Sequence, residues 1–472
     1  MLTRFDHILE RARLDKMHQA ALDILAGTGL KVEHAGVLSE LARHKGFDPA
    51  AKPRVKISAD RVERWAAQHR AWQEKQGAAQ GAGAPAKLHF SVSDRPMWMV
   101  DRDGNTLRQT TREDVIAGIK LTEVLREKGV RGGATAVPTD VPLRIQPLEQ
   151  YLITAEYSRG GGRTSQVTDI HTAEVIREMD RVYERPARFS IWCPSPLIFG
   201  GPELDIFWRF REEATAVSVG SMPMMGMTGP CDPIGVMTLS IAETIGGAAI
   251  VQALFPELPV TIHPHPQPVD MRTGALAFGT PEWELLDLMH RDVFGYYGRE
   301  RRMKLLHTTA SVPGGQAQIE RTSGALLGLL GGYTAFGQLG QLGLDDVWSP
   351  AQLLLDLDIL QHAARVVRGP ESGTGLEPEN LATVVQEVVA SKRIFAEHAT
   401  TLDNMRSQYH QPSVLQRQGR AQWMGAGCPD VVVEATQQAE ALIESYEYES
   451  PQATLRELRG IYERSRERLM AL

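Results

Sequence analysis

Residues 261–274, TIHPHPQPVDMRTG, set two histidines, three prolines and an Asp-x-Arg pair just after a short apolar run. His263 and His265 one residue apart at a strand end could grip zinc if further imidazoles and a carboxylate converged on them, all deprotonated. His307 and Asp270 are the candidates to complete such a set. The same pair could equally offer ring nitrogens to a substrate acid with no metal present. Two features count against zinc. In barrel hydrolases that use this grip the pair sits on the first strand, whereas here it follows about the sixth strand-like run. Pro264 and Pro266 also stiffen the segment into an extended arm.

Three further segments carry chemistry. In 220–235, GSMPMMGMTGPCDPIG, Met222, Met224, Met225 and Met227 fall within six residues at a strand end. Thioethers commonly fill cores, yet this stretch reads as a loop, and soft, uncharged side chains there suit a methylated or flat ligand. In 304–324, KLLHTTASVPGGQAQIERTSG, a strand runs through Ser311, Pro313 and Gly314 into a helix, whose free amides would welcome an anion. Gln316 and Glu320 lie one turn apart on that helix and face the same way. Among the aromatics, Trp192 and Phe336 end strands and are the best placed to meet a desolvated cation with a ring face. Tyr296 and Tyr297 end a helix and read as core or surface. Arg272 is a second candidate for an acid, or a structural partner for Asp270.

Strand-like runs that could position these residues fall at 131–137, 163–168, 188–193, 216–221, 259–263, 304–309 and 333–337, with another in 88–110 around the Asp103-Gly104 turn. Helical stretches separate them, near 147–158, 171–183, 203–214, 233–255, 281–297, 315–331 and 349–367. Such alternation predicts parallel strands with helical crossovers, and eight strands predict a (β/α)8 TIM-type barrel. An open doubly wound sheet is weaker, since no Gly-x-Gly-x-x-Gly follows an early strand. The expected organisation is an N-terminal helical segment and linker over 1–86 and a hairpin leading into the barrel over 87–112. The TIM-type barrel follows over 113–376, with a C-terminal helical extension over 377–472. GAAQGAGAPA, 77–86, is the expected flexible link.

Across the 472 residues, 42% are hydrophobic and 23% charged, as in ordinary globular proteins, and the net charge of -7 argues against a nucleic-acid partner. The three cysteines, Cys193, Cys231 and Cys428, have no ligand spacing, so a reducing cytoplasm is expected. The first 29 residues read as an amphipathic helix and not as a signal peptide. The stretch 234–256 comes nearest to a membrane span but is broken by Ser240, Glu243, Thr244 and Gln252. It is expected to be a buried helix.

Taken in order, SMPMMGMTGPCDPIGVMTLSIAETIGG, DMRTGALAFGTPE, SVPGGQAQIERTSGALLGL and SPAQLLLDLDIL resemble the trimethylamine methyltransferase superfamily. KVEHAGVLSELARHKG near the N-terminus and KRIFAEHATTL near the C-terminus extend the resemblance over roughly 10–450. It implies a barrel enzyme that moves a methyl group from a methylated amine to Co(I) of a corrinoid (cobalamin) supplied by a cognate partner protein. The pyrrolysine of the trimethylamine enzymes has no counterpart here; its loop corresponds to the neighbourhood of 309–316, with Thr309, Ala310, Ser311 and Val312. The chain therefore resembles the branch without pyrrolysine, whose members demethylate glycine betaine and related quaternary amines.

That resemblance assigns roles. Trp192, Phe336 and the loop of Met222, Met224 and Met225 would cage the trimethylammonium group. His263, His265 and His307 would hold the substrate carboxylate, with Gln316 also at the substrate, Asp270 or a backbone carbonyl fixing an imidazole tautomer, and Ser311 and Gly314 lining the pocket or the corrinoid face. A quaternary amine already bears the charge that makes its neutral amine a leaving group, so the displacement needs positioning and no general base. No tightly bound metal, nucleic acid or membrane is expected, and a homo-oligomer is. Alternative substrates are proline betaine, carnitine or a butyrobetaine; an alternative reaction is zinc-dependent hydrolysis by His263, His265 and His307.

Overall fold

Helix α1 (Arg11–Gly27) buries Leu14, Met17, His18, Ala21, Leu22 and Leu25, spaced three and four apart, so that one face of an amphipathic helix is committed to the interior. With α2 (Ala59–Ala79) it accompanies a small four-stranded sheet of Leu30–Val32, Phe47–Asp48, Arg54–Ile57 and Ile198–Phe199. The computed structural model describes residues 6–48, 54–79, 87–164, 167–298, 303–370 and 378–471. Helix α2 takes up the start of the expected link at 77–86, and the rest of that link lies outside the described residues.

Seven parallel strands follow: β1 (His89–Ser91), β2 (Val130–Arg131), β3 (Ala187–Cys193), β4 (Ala214–Ser221), β5 (Val260–Pro264), β6 (Met303–Leu305) and β7 (Ala335–Gly337). They form two ladders, β5-β4-β3 and β6-β7-β1-β2. The last strand thus lies beside the first, as in a wrapped α/β arrangement. Among the described residues the two ladders are not joined, so what they show is a mixed α/β fold with parallel ladders, and the closure expected of a TIM-type barrel is not shown. Trp98–Val100 and Leu107–Gln109 pair antiparallel around Gly104, giving the expected hairpin.

Both breaks have local causes. The strand expected over 163–168 does not form among its described residues, and 165–166 lie outside them. This stretch is polar apart from Val167, so it has little apolar surface to bury. The guanidinium of Arg185 takes the carbonyls just before it, donating to Gly160 O at 2.8 Å and to Gly162 O, while Thr164 donates to Gln150. Between β5 and β6 the proline-rich arm spends its amides on the β4 side: His265 donates to Ser221 O and Gln267 to Pro223 O, each at 2.9 Å. Pro264, Pro266 and Pro268 have none to offer a further strand.

Four of the helices that lie along the chain between these strands are α3 (Gln146–Tyr157), α4 (Ile170–Val182), α5 (Pro233–Leu254) and α6 (Pro281–Tyr296). Helix α5 is long and apolar enough to cross a membrane by length and composition, but 83% of that window is buried inside the fold. It packs on α1, α2, β4 and β5, and agrees with the buried helix expected over 234–256. At Gly246 an added Cβ would lie 2.6 Å from Leu25 Cδ2, so glycine is what lets α1 and α5 approach.

Two more helices, α7 (Gly315–Leu330) and α8 (Pro350–Arg368), close the set. The described residues after 378 are helices joined by loops. In β6, Lys304 faces the helices and is fully buried. Its ammonium lies 2.6 Å from Glu284 Oε2 and 3.0 Å from Asp287 Oδ2, both on α6, and Tyr333 donates to Asp287 at 3.0 Å. Burial pulls the lysine pKa down, but Asp287 and Glu284 outweigh it and hold the group charged. Lys304→Met should destabilise the fold by about 3–5 kcal/mol, because two buried carboxylates would lose their cation. Denaturant unfolding of the two proteins measures this, and an unchanged midpoint would remove the anchoring role.

Candidate functional site

Alternation along the long ladder decides which side chains line the interior between the two sheets. In β3 and β4, Ile191, Cys193, Val217 and Val219 face the helices and join the core. Ser190 and Ser218 are on the opposite face, their hydroxyls 2.8 Å apart. One step toward the strand ends, Trp192, Gly220 and His263 stand abreast. A Cβ on Gly220 would sit 2.5 Å from the Trp192 ring, so the indole lies directly on the glycine backbone. The expected cage residue Trp192 is therefore on the lumen face. His263 closes the row, its ring centroid 5.5 Å from that of Phe294 on α6.

His265 and His307 meet at one indole. The Trp283 ring is edge-on to His265 at 5.3 Å and to His307 at 4.4 Å. His265 Nδ1 is 3.1 Å from His290 Nδ1, so one of those nitrogens carries the proton between them. His307 is buried, packed against Phe278 at 4.3 Å, and its Nδ1 lies 2.8 Å from Asp345 Oδ1. An ionised carboxylate only accepts, so Nδ1 of His307 bears the proton. Nε2 has no hydrogen-bond partner among the described residues. The other Asp345 oxygen accepts from Gln338 at 3.2 Å. The Gln338 carbonyl in turn accepts from Arg321, which is fully buried against Asp356 at 2.8 Å.

The methionine loop forms the rim. Met224 and Met225 are half-buried beside Gln267, whose carbonyl accepts from Met225 N at 2.8 Å. Met222, Met227 and Met271 are exposed. Asp270 holds no imidazole. It pairs with the exposed Arg272 at 2.9 Å inside its own turn, and hydrogen bonds from Arg272 lower its pKa to about 2. Of the two roles weighed for Arg272, the structural bridge is the one observed.

One expectation needs correction. Phe336 does not face the lumen: it is fully buried on the helix side of β7, where a Cβ on Gly328 of α7 would lie 2.8 Å from its ring. It cannot wall a cage. Gln316 is exposed and fastens the loop after β6, donating to Thr309 Oγ1 at 2.8 Å and to Glu320 Oε1 at 3.0 Å. Ser311 is exposed and Gly314 precedes α7, both on that loop. Finally, His263, His265 and His307 do not converge for zinc, and no group of three or more metal-ligating side chains occurs among the described residues. The hydrolase reading has no ligand set behind it.

Local spacing does not announce Asp345, Phe278 or Trp283 as partners of His307. Asp345 is 38 residues away, with φ of +72°. Trp283 sits in the first turn of α6, behind its Thr280 cap.

A family model described as trimethylamine methyltransferase (MTTB) matches residues 3–469. The glycine betaine methyltransferase of Desulfitobacterium hafniense is 25% identical over 317 residues, covering 62% of this chain and 63% of that protein. The trimethylamine methyltransferase MttB of Desulfitobacterium hafniense is 26% identical over 305 residues, 64% of this chain and 60% of that one. The chain thus spans a little under two thirds of the length of these relatives. The crystal structure of the Methanosarcina barkeri monomethylamine methyltransferase aligns over 92% of this chain and 93% of its own, at 11% identity and a TM-score of 0.41.

Glu243 of α5 ties down the segment that follows Trp192. It accepts from Ser195 Oγ and Leu197 N, each at 2.8 Å. Burial raises its pKa to about 7 against the pull of those hydrogen bonds, from an ordinary 4.5. The folded state therefore favours the protonated carboxyl. Its contribution is complete below the unfolded pKa and is lost as pH rises through about 7, a change of about 3 kcal/mol. Denaturant unfolding should show stability falling across that window, and Glu243→Gln should flatten the fall. A slope identical in both proteins would contradict the assignment.

Proposed function

The chain belongs to the trimethylamine methyltransferase family, and on that premise we propose that it takes a methyl group from a quaternary amine of the glycine betaine type and delivers it to a corrinoid carried by a separate protein, leaving the dimethylated amine. The observation behind this reading is the row of Trp192, Gly220 and His263. A quaternary ammonium has no N–H to donate. It is held by ring faces and soft groups, and Trp192 offers such a face beside the rim methionines. No carboxylate stands in that row to trap the cation in a tight ion pair.

The substrate acid is assigned to His307 and His263. With the proton of Nδ1 committed to Asp345, a neutral His307 presents a lone pair at Nε2. It donates to a carboxylate only when protonated. Phe278 and Trp283 fix the ring plane, so the nitrogen is aimed before substrate arrives. The corrinoid supplies the cobalt nucleophile when its carrier docks. The exposed, uncharged Met222, Met227 and Met271 suit the face that would meet it. This chain's own part is to orient one methyl carbon and keep water from the ammonium. The amine leaves neutral, so no side chain has to protonate it.

Glycine betaine, proline betaine, carnitine and butyrobetaine, each offered with reduced cobalamin and followed by the methylcobalamin spectrum, test the reaction and rank the substrates. Methylation with none of them would defeat the proposal. His307→Ala should lower kcat/KM more than tenfold, because a charged hydrogen bond contributes about 1.5–3 kcal/mol. Gly220→Ala should lower it comparably while leaving the unfolding transition in place, since the added carbon displaces the Trp192 ring. Wild-type kinetics in both variants would refute the site.

A further inference from the structure

The break between β2 and β3 opens into a cavity of about 730 Å³. Arg131 enters it from the end of β2 and Arg188 from the start of β3, each next to a strand neighbour, Val130 or Phe189, that packs into the core. Arg163 enters from the chain between them. None of these three guanidiniums makes a hydrogen bond or ion pair with a described residue.

Two more arginines line the cavity but are already engaged. Arg177 pairs with Asp180 and Glu213, and Arg185 with Asp180 and the carbonyls of the glycine run. The lining carboxylates are Asp180, spent on those two, and Asp94, whose pKa burial raises toward the neutral form. Arg163 shows the imbalance: burial, then the charges of Arg185 and Arg131, lower its pKa. A chain of net charge -7, with 58 acidic residues to place, concentrates unbalanced positive charge at one hole.

We propose that this cavity is a binding site for a small polyanion, a molecule with at least two phosphate or carboxylate groups, which Arg131, Arg163 and Arg188 receive through paired N–H donors. Its volume suits a metabolite-sized ligand. Val92, Val167, Ile176 and Tyr151 supply apolar wall for the ligand's body. The site is separate from the one proposed for the amine. Arg188 precedes Trp192 by four residues on the same strand face, about 13 Å between Cα atoms. Ammonium and carboxylate in glycine betaine are two bonds apart, so one betaine does not join the two places.

Calorimetric titration of the whole chain with pyrophosphate and with citrate, at fixed ionic strength, tests this. At least one should bind with a submillimolar Kd, and the preferred anion identifies the head group as phosphate or carboxylate. Arg131→Gln with Arg188→Gln should weaken that binding at least about thirtyfold, roughly the loss of one to two charged hydrogen bonds. Arg209→Gln, a change at an exposed surface pair with Glu174, should leave it within a factor of two. If the double variant loses its thermal transition, Arg163→Gln alone carries the comparison, with about a tenfold loss expected. Absence of binding by both anions to the wild-type chain overturns the proposal, as does an equal loss with Arg209→Gln. Binding heat is read without any methyl transfer, so failure of the proposed reaction and failure of this site are separate results.

Discussion

A lysine ammonium with no water around it sets the position of nearly everything discussed above. Lys304 sits between Glu284 and Asp287 at 2.6 and 3.0 Å, in an interior where an unpaired charge costs several kcal/mol. The three groups cannot drift apart, so β6 and α6 are locked in register. Strand β6 leads to His307, three residues on. Helix α6 carries Trp283, which touches both His307 and His265, and His290, which shares a proton with His265. The depth and tilt of two imidazoles follow from one ion cluster on the far side of the strand. The Arg321–Asp356 pair does the same for Gln338 and, through it, for Asp345.

The histidines therefore occupy different environments despite their similar look in sequence. His263 borders the lumen row and leans on Phe294; His265 is tied to His290; His307 is clamped by Asp345 between two aromatic rings. His265 and His307 share the Trp283 ring, but each imidazole has its own hydrogen-bond or ring partner besides. Such an arrangement orients ring nitrogens one at a time, which suits recognition of an organic acid better than ligation of an ion, where donors must share a focus.

Much of the scaffold is legible from residue pattern. The period-2 runs near 188–193, 216–221 and 259–263 form the longest ladder. The turn at Asp103-Gly104 and the buried helix over 234–256 are likewise where the pattern places them. The misreadings have physical causes. A three-residue strand such as β7 has too few alternations to tell its two faces apart, so pattern alone does not say which face Phe336 takes. The segment 163–168 lacks the apolar pairs that hold a buried strand, and a distant arginine, Arg185, takes the preceding carbonyls instead. Asp345 reaches His307 only through tertiary folding, and no local spacing encodes that contact.

Gly220 under the Trp192 indole has one more implication. The bottom of the proposed site is main chain, pressed against the ring with no room for a single extra carbon. A floor made of backbone cannot be deepened by mutation, because glycine has nothing left to remove, and it can be raised only by evicting the tryptophan. Selection for longer or shorter guests must therefore work from the ceiling: the flexible thioethers at the mouth are free to vary, while the foundation stays put.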